Sequence, residues 1–181
     1  MGEWTQDDLE ALYVRLEKPI YNVVYRRLWN SEEAHDVVQE AFLKLWSMRR
    51  RIVPETVEPL AYRIALNVAR SRLRRRRVLR FLPIEAAAPE SLRDPHDLER
   101  HAMAAEDRAR LREAIDTLPA DARDVLLLSV FGKLTYAAIA RALAIPEGTV
   151  GSRRHRALRL LREKLEEDRI ERRTGSRPLA P

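Results

Sequence analysis

LTYAAIARALAIPEGTVGSRRHRALRLLREKL, running from Leu134 to Leu165, carries two helical patterns separated by a proline. Thr135 stands where its hydroxyl can cap the exposed amides of a new helix. Ile139, Ala140 and Leu143 then recur at i, i+1 and i+4, which predicts a short helix with one buried face. Pro146 interrupts the pattern, and Glu147-Gly148-Thr149 opens a second helix. In that helix Val150, Leu158, Leu161 and Leu165 fall on one side. Ser152, His155, Arg156 and Arg159 fall on roughly the opposite side, at about 100° per residue. Two helices, a tight turn and a basic outward face predict a helix-turn-helix whose second helix enters a DNA major groove. The competing reading is an amphipathic hairpin with a solvated basic face, and this stretch alone leaves both open.

Working outward, the chain of 181 residues is long enough for one large core or two small ones. Charged residues make up 34% and hydrophobic ones 45%, a globular balance. The net charge is +6, and all but four of the 34 basic residues are arginine. That excess favours a polyanionic partner, since arginine forks match phosphates and guanine edges. Codon bias in a GC-rich genome would give the same excess. There is no cysteine, which excludes disulfides and thiolate metal sites. No apolar run reaches membrane-spanning length, and the opening MGEWTQDDLE is acidic, unlike a signal peptide. A cytoplasmic, all-α protein without membrane insertion is expected.

Taken from its start, the chain shows Thr5-Gln6-Asp7-Asp8, a capping-box pattern, followed by Leu9, Leu12, Tyr13 and Leu16 at helical spacing. Pro19 predicts a kink or a restart, after which Ile20, Val23, Val24 and Leu28 continue the stripe. Asn30-Ser31 punctuates, and Glu32 and Glu33 suit a helix N-terminus. Ala34, Val37, Val38, Ala41, Phe42, Leu45 and Trp46 then form one helical face, with Asp36, Gln39, Glu40 and Leu43 on the other. Residues 47–59 hold two prolines and read as a loop. A helix returns from Leu60 to about Arg77, with Ala61, Ile64, Ala65 and Val68 inward. It ends in Arg70, Arg72, Arg74, Arg75, Arg76 and Arg77, cations that repel one another unless an anion is close. Residues 81–95 carry Pro83, Pro89 and Pro95 and neither cap nor stripe, the pattern of a linker. Helices are expected from about Asp97 to Thr117 and from Ala120 to Phe131, and a disordered tail over 168–181.

These residues resemble a known family. The segment 116–165 is similar to the fourth conserved region of bacterial extracytoplasmic-function (group 4) sigma factors of the sigma-70 family. HDVVQEAFLKLW (35–46) resembles their region 2.2, and AYRIALNVARSRLRRRR (61–77) their regions 2.3–2.4. The resemblance implies an all-α chain of two small helical domains: sigma region 2 over 1–80 and a helix-turn-helix sigma region 4 over 96–167, joined by the flexible linker 81–95. It implies a non-enzymatic role, directing core RNA polymerase to promoters and helping to melt the −10 element, without cofactor or metal. Asp36, Gln39, Glu40 and Leu43 match the positions that dock on the polymerase β′ coiled coil, and the β flap is the second polymerase contact. Asn67 matches the position lining the pocket for a flipped-out −10 base, with Arg63, Arg70, Arg74 and Arg75 on phosphates. Thr149, Ser152, Arg153, His155, Arg156 and Arg159 match the recognition-helix set for the −35 element. An anti-sigma factor is a further candidate partner.

The chain departs from the family at several points. Leu60 replaces a usual Trp, and Arg50-Arg51-Ile52-Val53-Pro54 stands where Phe-x-Gly is common. Ala144 replaces a turn Gly, Gly151 replaces a usual cation, and Arg154 stands within the apolar stripe. Two other classes compete with the resemblance. A helix-turn-helix repressor would bind operators alone as a dimer. A nucleic-acid enzyme would need a nucleophile or metal cluster, yet His35, His96, His101 and His155 are scattered and no carboxylate set is isolated.

Overall fold

The structure is a computed structural model that describes residues 5–80 and 98–174; among these every regular element is helical. Helix α1 (Gln6–Leu28) starts where Thr5 and Asp8 cap each other. The Thr5 hydroxyl accepts the Asp8 amide at 3.2 Å, and the Asp8 carboxylate accepts the Thr5 amide at 3.0 Å. Those bonds hold the Asp8 carboxyl below its usual range, the backbone amide foremost. At Pro19 the helix runs on as one element, so no restart occurs there. Buried Leu16, Ile20, Val23 and Val24 on both sides of Pro19 carry it through.

Helix α2 (Ser31–Met48) is capped by Asn30, whose side chain accepts the Glu33 amide at 2.8 Å. It buries the apolar face that the sequence predicts, from Ala34 through Leu45. The expected loop 47–59 contains two 3-10 turns, Arg49–Arg51 and Pro54–Thr56. Helix α3 (Val57–Arg80) begins before Leu60, because Pro59 falls in the first turn, where a missing N–H costs nothing. Helices α4 (Leu98–Thr117), α5 (Ala120–Val130), α6 (Tyr136–Leu143) and α7 (Glu147–Thr174) complete the order. The tail expected to be disordered is helical as far as Thr174. Lys164 lies 3.0 Å from Asp168 and Glu166 2.6 Å from Arg169, pairs at helical spacing that favour continuation. The linker 81–95 and residues 175–181 lie outside the described residues.

The described residues form two compact units, 5–80 with 127–151, and 98–126 with 152–174. In the first, α1, α2 and α3 pack together, and α6 packs on α3. Its core joins Leu12, Leu16 and Ile20 of α1 to Val37 and Ala41 of α2, and to Ala61, Tyr62 and Leu66 of α3. In the second, Leu118, Ala122, Leu126 and Ala157 are buried together, with Leu158, Leu160 and Leu161 packed against them. By compactness the end of α5, all of α6 and the first turn of α7 go with the first unit, where the sequence groups them with the C-terminal helices.

Thr135 caps α6 as its spacing predicts, accepting the Ala138 amide at 3.2 Å. The buried pair of α6 is Ile139 and Ala142, whereas Ala140 and Leu143 are only half-buried. The turn after α6 places Ala144 at φ 54°, ψ 48°, in the left-handed region. There a Cβ is strained by about 1–2 kcal/mol, and glycine escapes the strain. Ala144→Gly should therefore stabilise the chain by about 0.5–1 kcal/mol, after glycine's unfolded-state entropy is subtracted. Urea unfolding checks this, and a destabilised variant would contradict strain at the turn.

Candidate protein and nucleic-acid interfaces

Helix α2 sets the first candidate surface. Burial of Ala34, Val37, Val38 and Ala41 turns Asp36, Gln39 and Leu43 outward, and Leu43 is 63% exposed. Glu40 is half-buried on the same face. The carboxylates there are already engaged by α3. Arg72 reaches Asp36 at 3.2 Å and Glu40 at 3.4 Å. Arg76 reaches Glu33 at 2.5 Å and donates to the Leu28 carbonyl at 3.2 Å. Lys44 lies 2.7 Å from the other Glu40 oxygen. The Lys44 bond, with Arg72 behind it, holds the Glu40 carboxyl below its usual range. A depressed carboxyl stabilises the fold fully above the ordinary carboxylate range, and that contribution is lost as pH falls through the lowered value.

The arginine run at the end of α3 thus divides by helical geometry. Arg72 and Arg76, one turn apart, turn toward α2, while Arg74, Arg75 and Arg77 are exposed. The anion that the run requires is partly supplied within the chain. Asn67 is exposed and accepts from Arg70 at 3.1 Å. Arg63 does not point outward alone: its Nε donates to the Ala142 carbonyl at 2.9 Å, and its Nη2 donates to that of Arg141. Leu60 is half-buried.

On α7 the predicted outward row is present: Ser152, His155, Arg156 and Arg159 are all exposed, and Thr149 is half-buried. Arg159 pairs with Glu163 at 2.8 Å. Arg153, also in the expected set, turns toward α5, and its Nε lies 3.1 Å from Asp121. Asp121 sits in the first turn of α5, where an anion is already favoured, so an arginine beside it completes a local pair. Toward the inner face Val150 and Ala157 are buried, Arg154 is half-buried, and Leu165 is exposed rather than inward. Gly151 has room for a side chain: a Cβ there would meet only the Tyr136 ring, at an ordinary 3.7 Å. Gly151→Ala should raise the melting temperature, since glycine within a helix costs about 1 kcal/mol against alanine. The expected DNA binding should be unchanged; a variant that melts higher yet binds DNA less would show that the backbone itself approaches the duplex.

One constellation escaped the sequence reading. Tyr62 is buried, its hydroxyl donates to the Gly132 carbonyl at 3.1 Å, and burial raises its pKa. Arg26 lies over the Phe131 ring at 3.8 Å in the same unit. Nothing in the local periodicity of α3 pairs residue 62 with residue 132. Among the described residues no group of His, Asp and Glu could hold a metal ion, and no helix is long and apolar enough to cross a membrane.

Comparison with known proteins defines the class first. The family model Sigma-70 region 2 matches residues 12–78, and Sigma-70, region 4 matches residues 108–161. The chain is 32% identical over 160 residues to the ECF RNA polymerase sigma factor SigL of Mycobacterium tuberculosis, covering 88% of this chain and 89% of that one. It is 30% identical over 154 residues to the ECF RNA polymerase sigma factor SigW of Bacillus subtilis, covering 81% and 82%. The fold is also that of CnrH, solved in complex with the cytosolic domain of CnrY: TM-score 0.70, 20% identity and 91% of each chain. The sigma factor RpoE of Bartonella quintana, solved with the anti-sigma factor NepR, has TM-score 0.66 at 21% identity, covering 88% of this chain and 98% of that one. The chain belongs to the extracytoplasmic-function (ECF) group of the sigma-70 family. It is a promoter-recognising RNA polymerase sigma factor that acts in transcription initiation.

Proposed function

We propose a residue-level division of this work. Asp36, Gln39, Glu40 and Leu43 dock on the β′ coiled coil of core polymerase. Carboxylates and an amide around an exposed leucine suit a basic, partly apolar helical partner. Asn67 reads a splayed −10 base, while Arg70, Arg74 and Arg75 hold phosphates, which positions the strand without reading it. Arg63 joins them only on leaving the Ala142 and Arg141 carbonyls. Ser152, His155 and Arg156 face the −35 element, with Thr149 and Arg159 flanking, and Arg153 braces α7 on α5. Functionally, residues 1–80 act as region 2 and 96–167 as region 4, without catalysis and in the cytoplasm. An anti-sigma factor, the kind of protein bound to the Bartonella relative, is a further candidate partner.

The observation that carries this reading is the exposed row Ser152, His155, Arg156 and Arg159 on one face of α7. It separates base reading from backbone holding. Arg156→Ala should cost about 1–3 kcal/mol at one −35 position and relax preference there. Arg75→Ala should weaken all promoters alike and lower the salt slope by roughly one unit. Binding across a −35 library measures both, and equal losses at every sequence would remove the distinction. Band shifts with and without core polymerase test the wider reading: tight promoter binding by the chain alone would favour an ordinary repressor.

A further inference from the structure

The docking face of α2 reads as acidic in the sequence, yet its charges are balanced within the chain. Glu33, Asp36 and Glu40 form one stripe, and Arg72, Arg76 and Lys44 meet it with three cations. An approaching basic helix therefore finds little long-range attraction. To gain its own pairs it must displace or share those already made.

Arg72 and Arg76 differ in what they hold. Arg76 spans Glu33 and the Leu28 carbonyl at the end of α1, a tie between elements of the fold. Arg72 also donates to the Glu33 carbonyl of α2 at 3.4 Å, but its ion pairs are to Asp36 and Glu40, whose side chains are 63% and 40% exposed. Both can be reached from outside while Arg72 still contacts them. Helices α2 and α3 already bury apolar faces, with Val37, Val38 and Ala41 on one and Ala65, Val68 and Ala69 on the other. Exposed ion pairs add little to such packing.

We propose that Arg72 is a built-in counter-ion of the docking face, competing with the cations of core polymerase for Asp36 and Glu40 and so setting how tightly core is held. The inference rests on the docking role given above for these two carboxylates. Its chemical sense is selective. A weakly basic helix gains less from the two carboxylates, because a guanidinium already lies within 3.4 Å of both. A partner that also covers Leu43 gains apolar burial in addition and is favoured in the exchange. Arg72 is thus a positioning and threshold residue that touches the docking groups rather than DNA.

The test is the affinity of the full chain for purified core polymerase at low and high salt, with Arg72→Gln, Arg72→Lys and Arg76→Gln compared. Arg72→Gln should bind core roughly two- to fivefold more tightly at low salt, the scale of one or two exposed pairs. The gain should shrink at high salt, because it is electrostatic. Arg72→Lys should stay near the parent, and Arg76→Gln should lower the melting temperature without tightening binding. A gain in affinity cannot come from structural damage, so that direction is specific. Unchanged or weaker binding by Arg72→Gln, or the same gain in Arg72→Lys, would overturn the proposal. The double variant Asp36→Lys with Glu40→Lys serves as the separate arm. If it binds core normally, the docking role itself is wrong; if it fails to bind while Arg72→Gln shows no gain, only the counter-ion role is wrong.

Discussion

Reversing Asp36 and Glu40 together to lysine is expected to abolish co-purification with core RNA polymerase while the chain stays helical. Each carboxylate lost from a docked charge pair costs about 2–5 kcal/mol, because the partner cation is left buried and unmatched. Even the low end of that range is roughly a thirtyfold loss of affinity. Reversal adds repulsion to the deletion. The structure also predicts a side effect: two lysines would face Arg72, which now lies against both carboxylates. Some stability is lost for that reason, although the groups are exposed enough for solvent to screen the repulsion. A triple variant that adds Arg72→Glu separates the two effects. It restores an opposite-charge contact between α2 and α3 and should recover the melting temperature, without recovering core binding. If the triple variant bound core again, the double variant's loss would reflect damaged folding, and the docking assignment would fail.

The second large effect is expected at Gly132. A Cβ there would lie 2.7 Å from the Leu128 carbonyl oxygen, 3.0 Å from Leu134 and 3.2 Å from the Tyr62 ring. The two side chains could yield a little, whereas the carbonyl belongs to the backbone of α5. Moving the residue would also disturb its carbonyl, which accepts the Tyr62 hydroxyl, and its amide, which donates to Leu127 at 3.1 Å. Gly132→Ala should therefore destabilise the chain by about 1–3 kcal/mol, the cost of overpacking a close-packed site. Thermal or urea unfolding measures it. A neutral substitution would show that the end of α5 and Tyr62 are packed more loosely than these distances state.

Much of the fold was legible because its signals are local. The Thr5-Asp8 cap, the Thr135 cap and the apolar stripe of α2 each follow from spacing within a few turns, and each appears where spacing puts it. The left-handed residue at Ala144 was legible too, through the glycine that relatives of this turn favour. What escaped depends on residues far apart in sequence. Tyr62 and Leu66 are buried although the stripe through Ala61, Ala65 and Val68 leaves them off-face, because α3 is covered on a second side by α6. Arg153 enters the candidate set through the family resemblance alone, and no local pattern records its pairing with a carboxylate on α5. In sequence the arginine run asks only for a nearby anion, which a phosphate or a carboxylate could supply. Helical geometry sends Arg72 and Arg76 to carboxylates of α2, and no one-dimensional pattern records which anion is nearer. The helical extension to Thr174 was missed for the opposite reason: apolar periodicity ends, while charge pairs at helical spacing continue.

The most direct measurement of the central claim is transcription by purified core polymerase on a genomic DNA template, with and without this chain, followed by sequencing of the transcripts. New start sites are expected that depend on the chain and share one pair of −35 and −10 elements. Those starts should vanish with the Asp36→Lys, Glu40→Lys variant. Starts that do not depend on the chain, or chain-dependent starts that survive in that variant, would contradict that claim.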